Sequence, residues 1–437
     1  MSKFGRRWQG WAGGQRGAMP AAYPGPRRPG WKFAAATANV ACRPAVPSLV
    51  MPPVVQSQRD LRLDLFRGIA LWLIFLDHIP SNIVSWVTIR NYGFSDATEI
   101  FVFISGYTAA FVYGRAMTER GVTVAGARIL KRAWQIYVAH IFLFVIFMAE
   151  IAYVSRGFEN PLFAEEMNIL DFLRQPDVTL MQALLLKFKP VNMDVLPLYI
   201  VLLIGFPPLL WLLLKRPTLA LMGSVAIYVL SLELSLNLPA YPSGNWVLNP
   251  LCWQLLFVFG AWCALNGAER LGAVAKSRVT LALAAAYLAF ALAIVLTWHF
   301  PRFGHYVPTW LAEFMYPIDK TNLDVLRFAH FLALAVLAMR FIPRDWPVLR
   351  SPVLRPAILC GENSLEIFCL GVFLAFAGHF AMVEISGRVY MQVLVSIIGI
   401  AVMIAAAWLL SWYKKVEGRS SGAKQKQPDA DLAGGEV

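Results

Sequence analysis

The sequence predicts an all-α, polytopic integral membrane protein with about ten transmembrane helices and both termini in the cytoplasm. Three observations predict it. Hydrophobic residues make up 58% of the 437 positions and charged residues only 15%, too few charges to cover a soluble domain of this length. The mean hydropathy of +0.57 comes from separate stretches of about 20 apolar residues, each long enough to cross a bilayer as a helix. Lys and Arg gather in alternate loops, the distribution that sets orientation in membranes. The net charge of +13 therefore reads as topology and attraction to anionic lipid headgroups, not as a nucleic-acid surface.

The elements follow in order. Residues 1–57 are rich in Arg, Gly, Pro and Trp, with no acidic residue before Asp60, and are expected to be disordered. They lack the clean apolar core of a signal peptide, and Met51 is an alternative start. One membrane domain is expected over 58–413, with spans at 66–88, 97–117, 134–154, 195–214, 217–236, 246–266, 279–298, 324–342, 357–380 and 389–413. The segment 414–437 is polar and basic and is expected to be a disordered cytoplasmic tail. Arg115, Arg120 and Arg128, Lys215 and Arg216, Arg270 and Lys276, and Arg344 and Arg350 mark the inner loops, whereas the loop 237–245 carries no charge. The longest outer loop, 155–194, is expected to hold a short amphipathic helix around 165–189. Of the five cysteines none forms a CxxC and four lie in apolar segments, which reads as packing. No metal-ligand spacing stands out.

The first span carries the most chemistry. It reads Arg62-Leu-Asp64-Leu-Phe-Arg67-Gly68-Ile-Ala-Leu-Trp-Leu-Ile-Phe-Leu-Asp77-His78. Charges inside an apolar helix are expensive and by default mark function. Arg67 and His78 are separated by about three helical turns, so they share one face roughly 16 Å apart along the axis. Asp64 falls near the same face, and Asp77 points about 100° away. One helix thus offers a cation at its cytoplasmic end and a proton acceptor toward its outer end. The competing assignments are a positive-inside anchor for Arg67 and a hydrogen-bonded helix contact for His78.

The second span opens Asp96-Ala-Thr-Glu99 and continues to Ser105-Gly106-Tyr107. Glu99 begins at a depth comparable to His78. A carboxylate beside an imidazole fixes its tautomer and stabilises the imidazolium, a role open to Glu99 or Asp77. Gly106 suits close helix packing. Further polar clusters enter from the outer side: Asn192-Met-Asp194, Asn249-Pro-Leu-Cys-Trp-Gln254 and Asp319-Lys320-Thr-Asn322-Leu-Asp324, with His379 ending the ninth span. A glycan cleft needs amide and carboxylate partners for hydroxyls, plus aromatic faces, and this set supplies both. Helix capping is the competing assignment. Glu362 and Asn363 place polar groups near the inner end of the ninth span.

The Arg67-x10-His78 spacing followed by Phe-Val-Phe-Ile-Ser105-Gly106-Tyr107 resembles the acyltransferase-3 superfamily of membrane acyltransferases. More closely, Arg-Leu-Asp-Leu-Phe-Arg-Gly, Asp-His-Ile-Pro, Asn192-Met-Asp-Val-Leu-Pro, Asn249-Pro-Leu-Cys-Trp-Gln, Asp319-Lys-Thr-Asn and the segment from Gly361 to His379 resemble the OpgC family, over about residues 59–413. That family is associated with succinylation of osmoregulated periplasmic glucans.

The resemblance implies a multi-pass protein of the bacterial inner membrane. An acyl-CoA donor, succinyl-CoA for this family, would enter from the cytoplasm as a co-substrate, with no permanently bound cofactor. The glucan hydroxyl would approach from the periplasm. By the same implication His78 is the catalytic histidine and Arg67 its partner in the motif. Arg128-Ile-Leu-Lys131-Arg132 approximates the superfamily's Arg-x-x-Arg before the third span, which would put CoA phosphates on Arg128, Lys131 and Arg132. The chemistry suits the residues, because a sugar hydroxyl is a weak nucleophile that needs a positioned base to attack a thioester. Two other functions use the same features: an O-acetyltransferase for another envelope polysaccharide, and a proton-coupled transporter, whose relays also use intramembrane Asp, Glu and His. A succinyl group adds a carboxylate, for which Lys320 and Arg388 are the outer-side cations.

Overall fold

A computed structural model describes residues 60–158 and 162–424; the predicted disordered segment 1–57 and residues 425–437 of the predicted disordered tail lie outside them, whereas residues 414–424 of that tail are helical. The described residues form an all-helical bundle. In order the helices are α1 (Leu61–Asp77), α2 (Ala97–Arg120), α3 (Val122–Gly157), α4 (Leu162–Glu166), α5 (Leu170–Arg174), α6 (Pro176–Leu184), α7 (Val195–Lys215), α8 (Pro217–Glu233), α9 (Pro250–Trp262), α10 (Ala268–Lys276), α11 (Arg278–His299), α12 (Thr309–Met315), α13 (Val325–Phe341), α14 (Arg355–Glu362), α15 (Ser364–Glu384) and α16 (Val389–Lys424).

Among the described residues six helices are long and apolar enough to cross a membrane: α2, α3, α7, α11, α15 and α16. A seventh is reached if the bent pair of α9 and α10 counts as one span. The remaining expected spans are shorter or broken. Thus α1, α8 and α13 have 17 residues each.

Three expectations are corrected. The first span was expected to run to residue 88, but α1 ends at Asp77 and short 3-10 turns follow at Ile83–Val87 and Ile89–Asn91. Pro80 lacks an N–H and disfavours helix before it, and Ser81 takes a φ of 57°. The ninth span is not one helix: it breaks at Asn363, where φ is −113° and ψ is 39°. Here α14 packs backbone to backbone on α1 and runs antiparallel to it, with Gly68 against Ala357 and Gly361 against Asp64, whereas α15 follows α1 in the same direction, with Gly371 by Phe75 and Gly378 by Ile79. The helix expected over 165–189 is three short pieces, α4 to α6, separated by Asn168 at φ 55° and by Pro176 at a helix start.

Local signals explain the helix starts. Asp60 caps α1 by accepting from Arg62 N. Asp96 and Glu99 form a capping box on α2, satisfying donors that a buried helix end would otherwise leave orphaned. Asn249 and Asp324 cap α9 and α13. Glycine lets α2 and α9 meet backbone to backbone: a Cβ at Gly106 would overlap the carbonyl of Phe257, and one at Gly260 the carbonyl of Phe103. Neither neighbour is a movable side-chain end. Gly106→Ala is therefore expected to cost about 1–3 kcal/mol, read as a lower melting temperature in detergent. An unchanged melt would mean that the crossing is looser than described.

Candidate functional site

Two polar regions lie at the two ends of α1. The first surrounds His78, the C-cap residue, whose N–H bonds back to Ile74 O and Phe75 O. Its carbonyl accepts from Asn192 Nδ2 at 3.2 Å, tying α1 to the segment before α7. Its imidazole Nδ1 is buried without a hydrogen-bond partner among the described residues. The charged groups acting on the ring are Lys320, Asp96 and Arg90.

The two carboxylates expected beside His78 take other partners. Asp77 Oδ1 accepts from Thr88 Oγ1 at 2.7 Å and lies 3.6 Å from Arg90 Nε, consistent with its turn away from the His78 face. Glu99 has a fully buried side chain that pairs with Arg327 of α13, Nη2 to Oε1 being 2.7 Å. Its other oxygen accepts from Asp96 N at 2.9 Å. Arg327 Nη2 also reaches Asp96 Oδ2 at 3.2 Å, and Lys320 Nζ reaches the same oxygen at 2.6 Å. Two cations and two carboxylates thus interlock α2, α13 and the turn before α13. Lys320 is the member open to solvent, its side chain 44% exposed against 10% for Arg327.

That turn is held from several sides. Asp319 accepts from Thr321 N and Asn322 N. Asn322 Nδ2 donates to Asp319 Oδ2 at 2.7 Å, and Asn249 Nδ2 donates to Asn322 Oδ1 at 2.8 Å. Trp253 Nε1 donates to the carbonyls of Lys320 and Thr321. The amides of Asn249 and Asn322 therefore serve one another and the turn, the capping role set against glycan binding above. Their effect on the site is to present Lys320.

Beside Asn192, Asp194 lies 3.7 Å from Lys189 Nζ, which sits over the Trp246 ring at 3.6 Å. Burial pushes the Lys189 ammonium down to about 8, opposed by the Asp194 carboxylate. Two expected site residues stand apart from this cluster. Gln254 bridges α9 to α8, accepting from Ser224 Oγ and donating to Ser224 O. His379 is buried against Phe163, with Nε2 2.6 Å from Glu166 Oε2 of α4 but not aligned as a hydrogen bond.

The second region is at the other end of α1. Arg67 Nη2 donates to Thr108 Oγ1 of α2 at 2.6 Å, and its Nη1 is 3.8 Å from Asp64 Oδ1. Arg67 lines a cavity of about 140 Å³ with Arg132, Thr108, Tyr113, Tyr199 and Ser364 among its polar walls. Of the three basic residues expected to hold phosphates, Arg132 reaches this cavity, whereas Arg128 and Lys131 are exposed on α3 outside it. Arg67 and Arg132 give the cavity two guanidinium groups, suited to a phosphate or carboxylate.

Arg327, Asp96 and His330 were not among the expected site residues. His330 Nδ1 pairs with Ser95 Oγ at 2.7 Å, just before Asp96. The rule that singled out Arg67 and His78, a charge within an apolar helix, applies equally to Arg327-Phe-Ala-His330 in the eighth span. A family model described as OpgC protein matches residues 59–415, from just before α1 into α16. No curated protein and no solved structure matches the chain.

Proposed function

The chain belongs to the OpgC family, and from that premise we propose that it is a multi-pass acyltransferase of the bacterial inner membrane. It moves a succinyl group from cytoplasmic succinyl-CoA to hydroxyls of an osmoregulated periplasmic glucan. The observation that carries this is the pairing of two unlike sites on one helix, a two-arginine cavity at one end of α1 and a half-buried imidazole whose Nδ1 is buried without a hydrogen-bond partner among the described residues at the other. The short helices α1, α8 and α13 count as spans in this reading, giving about ten, with both termini inside.

The reach is suitable. Arg67 and His78 lie roughly 16 Å apart along the helix axis. A pantetheine arm has about four peptide-lengths of chain and extends roughly 14 Å. With its phosphates on Arg67 and Arg132, the thioester arrives beside His78. The His78 imidazole takes the proton of the glucan hydroxyl as its oxygen attacks the thioester carbonyl. The carbon–sulfur bond then breaks, the CoA thiolate recovers the proton, and the ester remains on the sugar. Nothing here requires a permanently bound cofactor. Lys320, held on Asp96 and open to solvent, suits the free succinyl carboxylate or the oxyanion of the transition state.

Expressing the chain in a host that makes unmodified glucans, then weighing the glucans by mass spectrometry, tests the function. A succinyl increment supports it. An acetyl increment keeps the mechanism and changes the donor. No increment from well-expressed protein returns attention to transport. The cavity has its own test. Arg132→Gln removes one charge-assisted contact and is expected to raise KM for acyl-CoA about tenfold or more, leaving KM for glucan unchanged. A shift in the glucan KM instead would mean that the cavity serves the acceptor.

A further inference from the structure

Three aromatic rings stand exposed at the His78 end of the bundle. Trp86 lies in the turns after α1, Trp298 in the last turn of α11 and Tyr316 just after α12. Each is 43–44% exposed. Trp298 Nε1 donates to Tyr316 Oη, and the two ring centroids are 6.3 Å apart. The next residue, His299, meets the Trp86 ring at 4.3 Å. Adjacent positions on α11 thus draw the three rings into one patch.

Each ring is tied to the charged cluster around His78 by a separate segment. Two residues past Trp86, Thr88 Oγ1 donates to Oδ1 of Asp77, the neighbour of His78. Trp298 leans on Phe94 at 6.3 Å, and Phe94 on His330 at 6.0 Å, the partner of Ser95. Tyr316 stands four residues before Lys320, which holds Asp96. The patch therefore borders the end of α1 at which the hydroxyl is to react.

Two features separate it from rings that only anchor a membrane surface. Interfacial tryptophans turn their N–H toward wet headgroups, whereas that of Trp298 is taken by Tyr316. Arg90 and Lys320, each four residues beyond a ring of the patch, keep side chains 51% and 44% exposed. Cations that open are at home in water and costly in hydrocarbon. Apolar surface gathered on a wet face marks a binding site. The negative face of an aromatic ring attracts the C–H face of a pyranose, and the sugar's rim of hydroxyls meets water and the two cations.

We propose that Trp86, Trp298 and Tyr316 form a platform on which glucose rings of the acceptor glucan stack, holding the chain with a hydroxyl toward His78. This rests on the glucan acceptor proposed above and gives it a binding surface.

The test titrates unsubstituted glucan into the full chain in detergent, without CoA, and reads binding by calorimetry. Trp86→Ala and Trp298→Ala are each expected to weaken glucan binding about tenfold, the size of one aromatic contact, with succinyl-CoA binding as in wild type. Trp86→Phe and Trp298→Phe keep a ring face and are expected to recover most of the loss. Alanine variants that bind glucan as wild type does would overturn the platform, and a fall in their stability in vesicles would then place the rings among lipid headgroups. If Trp298→Ala misfolds on losing its bond to Tyr316, Trp86→Ala decides alone. Wild type that binds glucan through these rings but transfers no acyl group removes the transferase function and leaves the platform standing. Wild type that binds no glucan removes the platform and the acceptor together.

Discussion

A His78→Ala protein is expected to fold as wild type does, to bind acyl-CoA, and to lose glucan acylation by roughly 10²–10⁴-fold. The separation of folding from activity follows from the bonds at this residue. The structural contacts of His78 are made by its backbone, through its N–H to Ile74 O and Phe75 O and its carbonyl to Asn192. Alanine keeps all of them. The imidazole Nδ1 has no hydrogen-bond partner among the described residues, so no donor or acceptor is stranded there when the ring goes. Melting temperature in detergent and periplasmic glucan mass spectra from the same preparation would check both halves. A stable His78→Ala protein that still acylates glucan would remove His78 from the chemistry.

The second large effect belongs to Arg327. Its guanidinium touches Glu99 and Asp96 together, and Glu99 has no exposure through which water could replace it. Arg327→Leu strands a buried carboxylate and is expected to destabilise the protein by about 3–5 kcal/mol. Lysine offers one point charge where a planar fork serves two carboxylates, so Arg327→Lys is expected to recover only part of this. The double variant Arg327→Leu/Glu99→Leu removes both buried charges and is expected to melt above the single variant. It is also expected to remain impaired in transfer, because Asp96 and Lys320 lose their support beside His78. A double variant no more stable than Arg327→Leu would mean that the pair does not interact as described.

Much of this arrangement was legible in the sequence because membranes punish buried charge. Arg67 and His78 stood out on that ground, and the helix period placed them at opposite ends of one face. Asp77 was legible as about 100° from that face, yet the sequence also offered it as a partner for His78, and in the fold it bonds Thr88. The partners of Glu99 were not legible. Its cation lies 228 residues away on α13, and no local pattern encodes a pairing between distant helices. The polar motifs Asn249-Pro-Leu-Cys-Trp-Gln254 and Asp319-Lys320-Thr-Asn322 were legible as clusters but not as each other's partners. In the fold Asn249 and Asn322 bond directly, while Gln254 turns to α8. Helix breaks were the other blind spot. Hydropathy continues through Asn363 and past His78, whereas the backbone obeys Pro80, the positive φ at Ser81 and the turn at Asn363. The arginine cavity also depends on packing. Arg132 enters it and Lys131 does not because neighbours on a helix point about 100° apart.

The central claim is transfer across the membrane between two sites on one helix, and sidedness tests it most directly. Glucan would be sealed inside proteoliposomes holding the oriented protein, with labelled succinyl-CoA added outside on the cytoplasmic face. The expected result is labelled ester on the enclosed glucan, none with His78→Ala, and none when succinyl-CoA and glucan share the periplasmic face. Transfer only when both substrates occupy the same side would contradict the claim, as would a label that never leaves CoA.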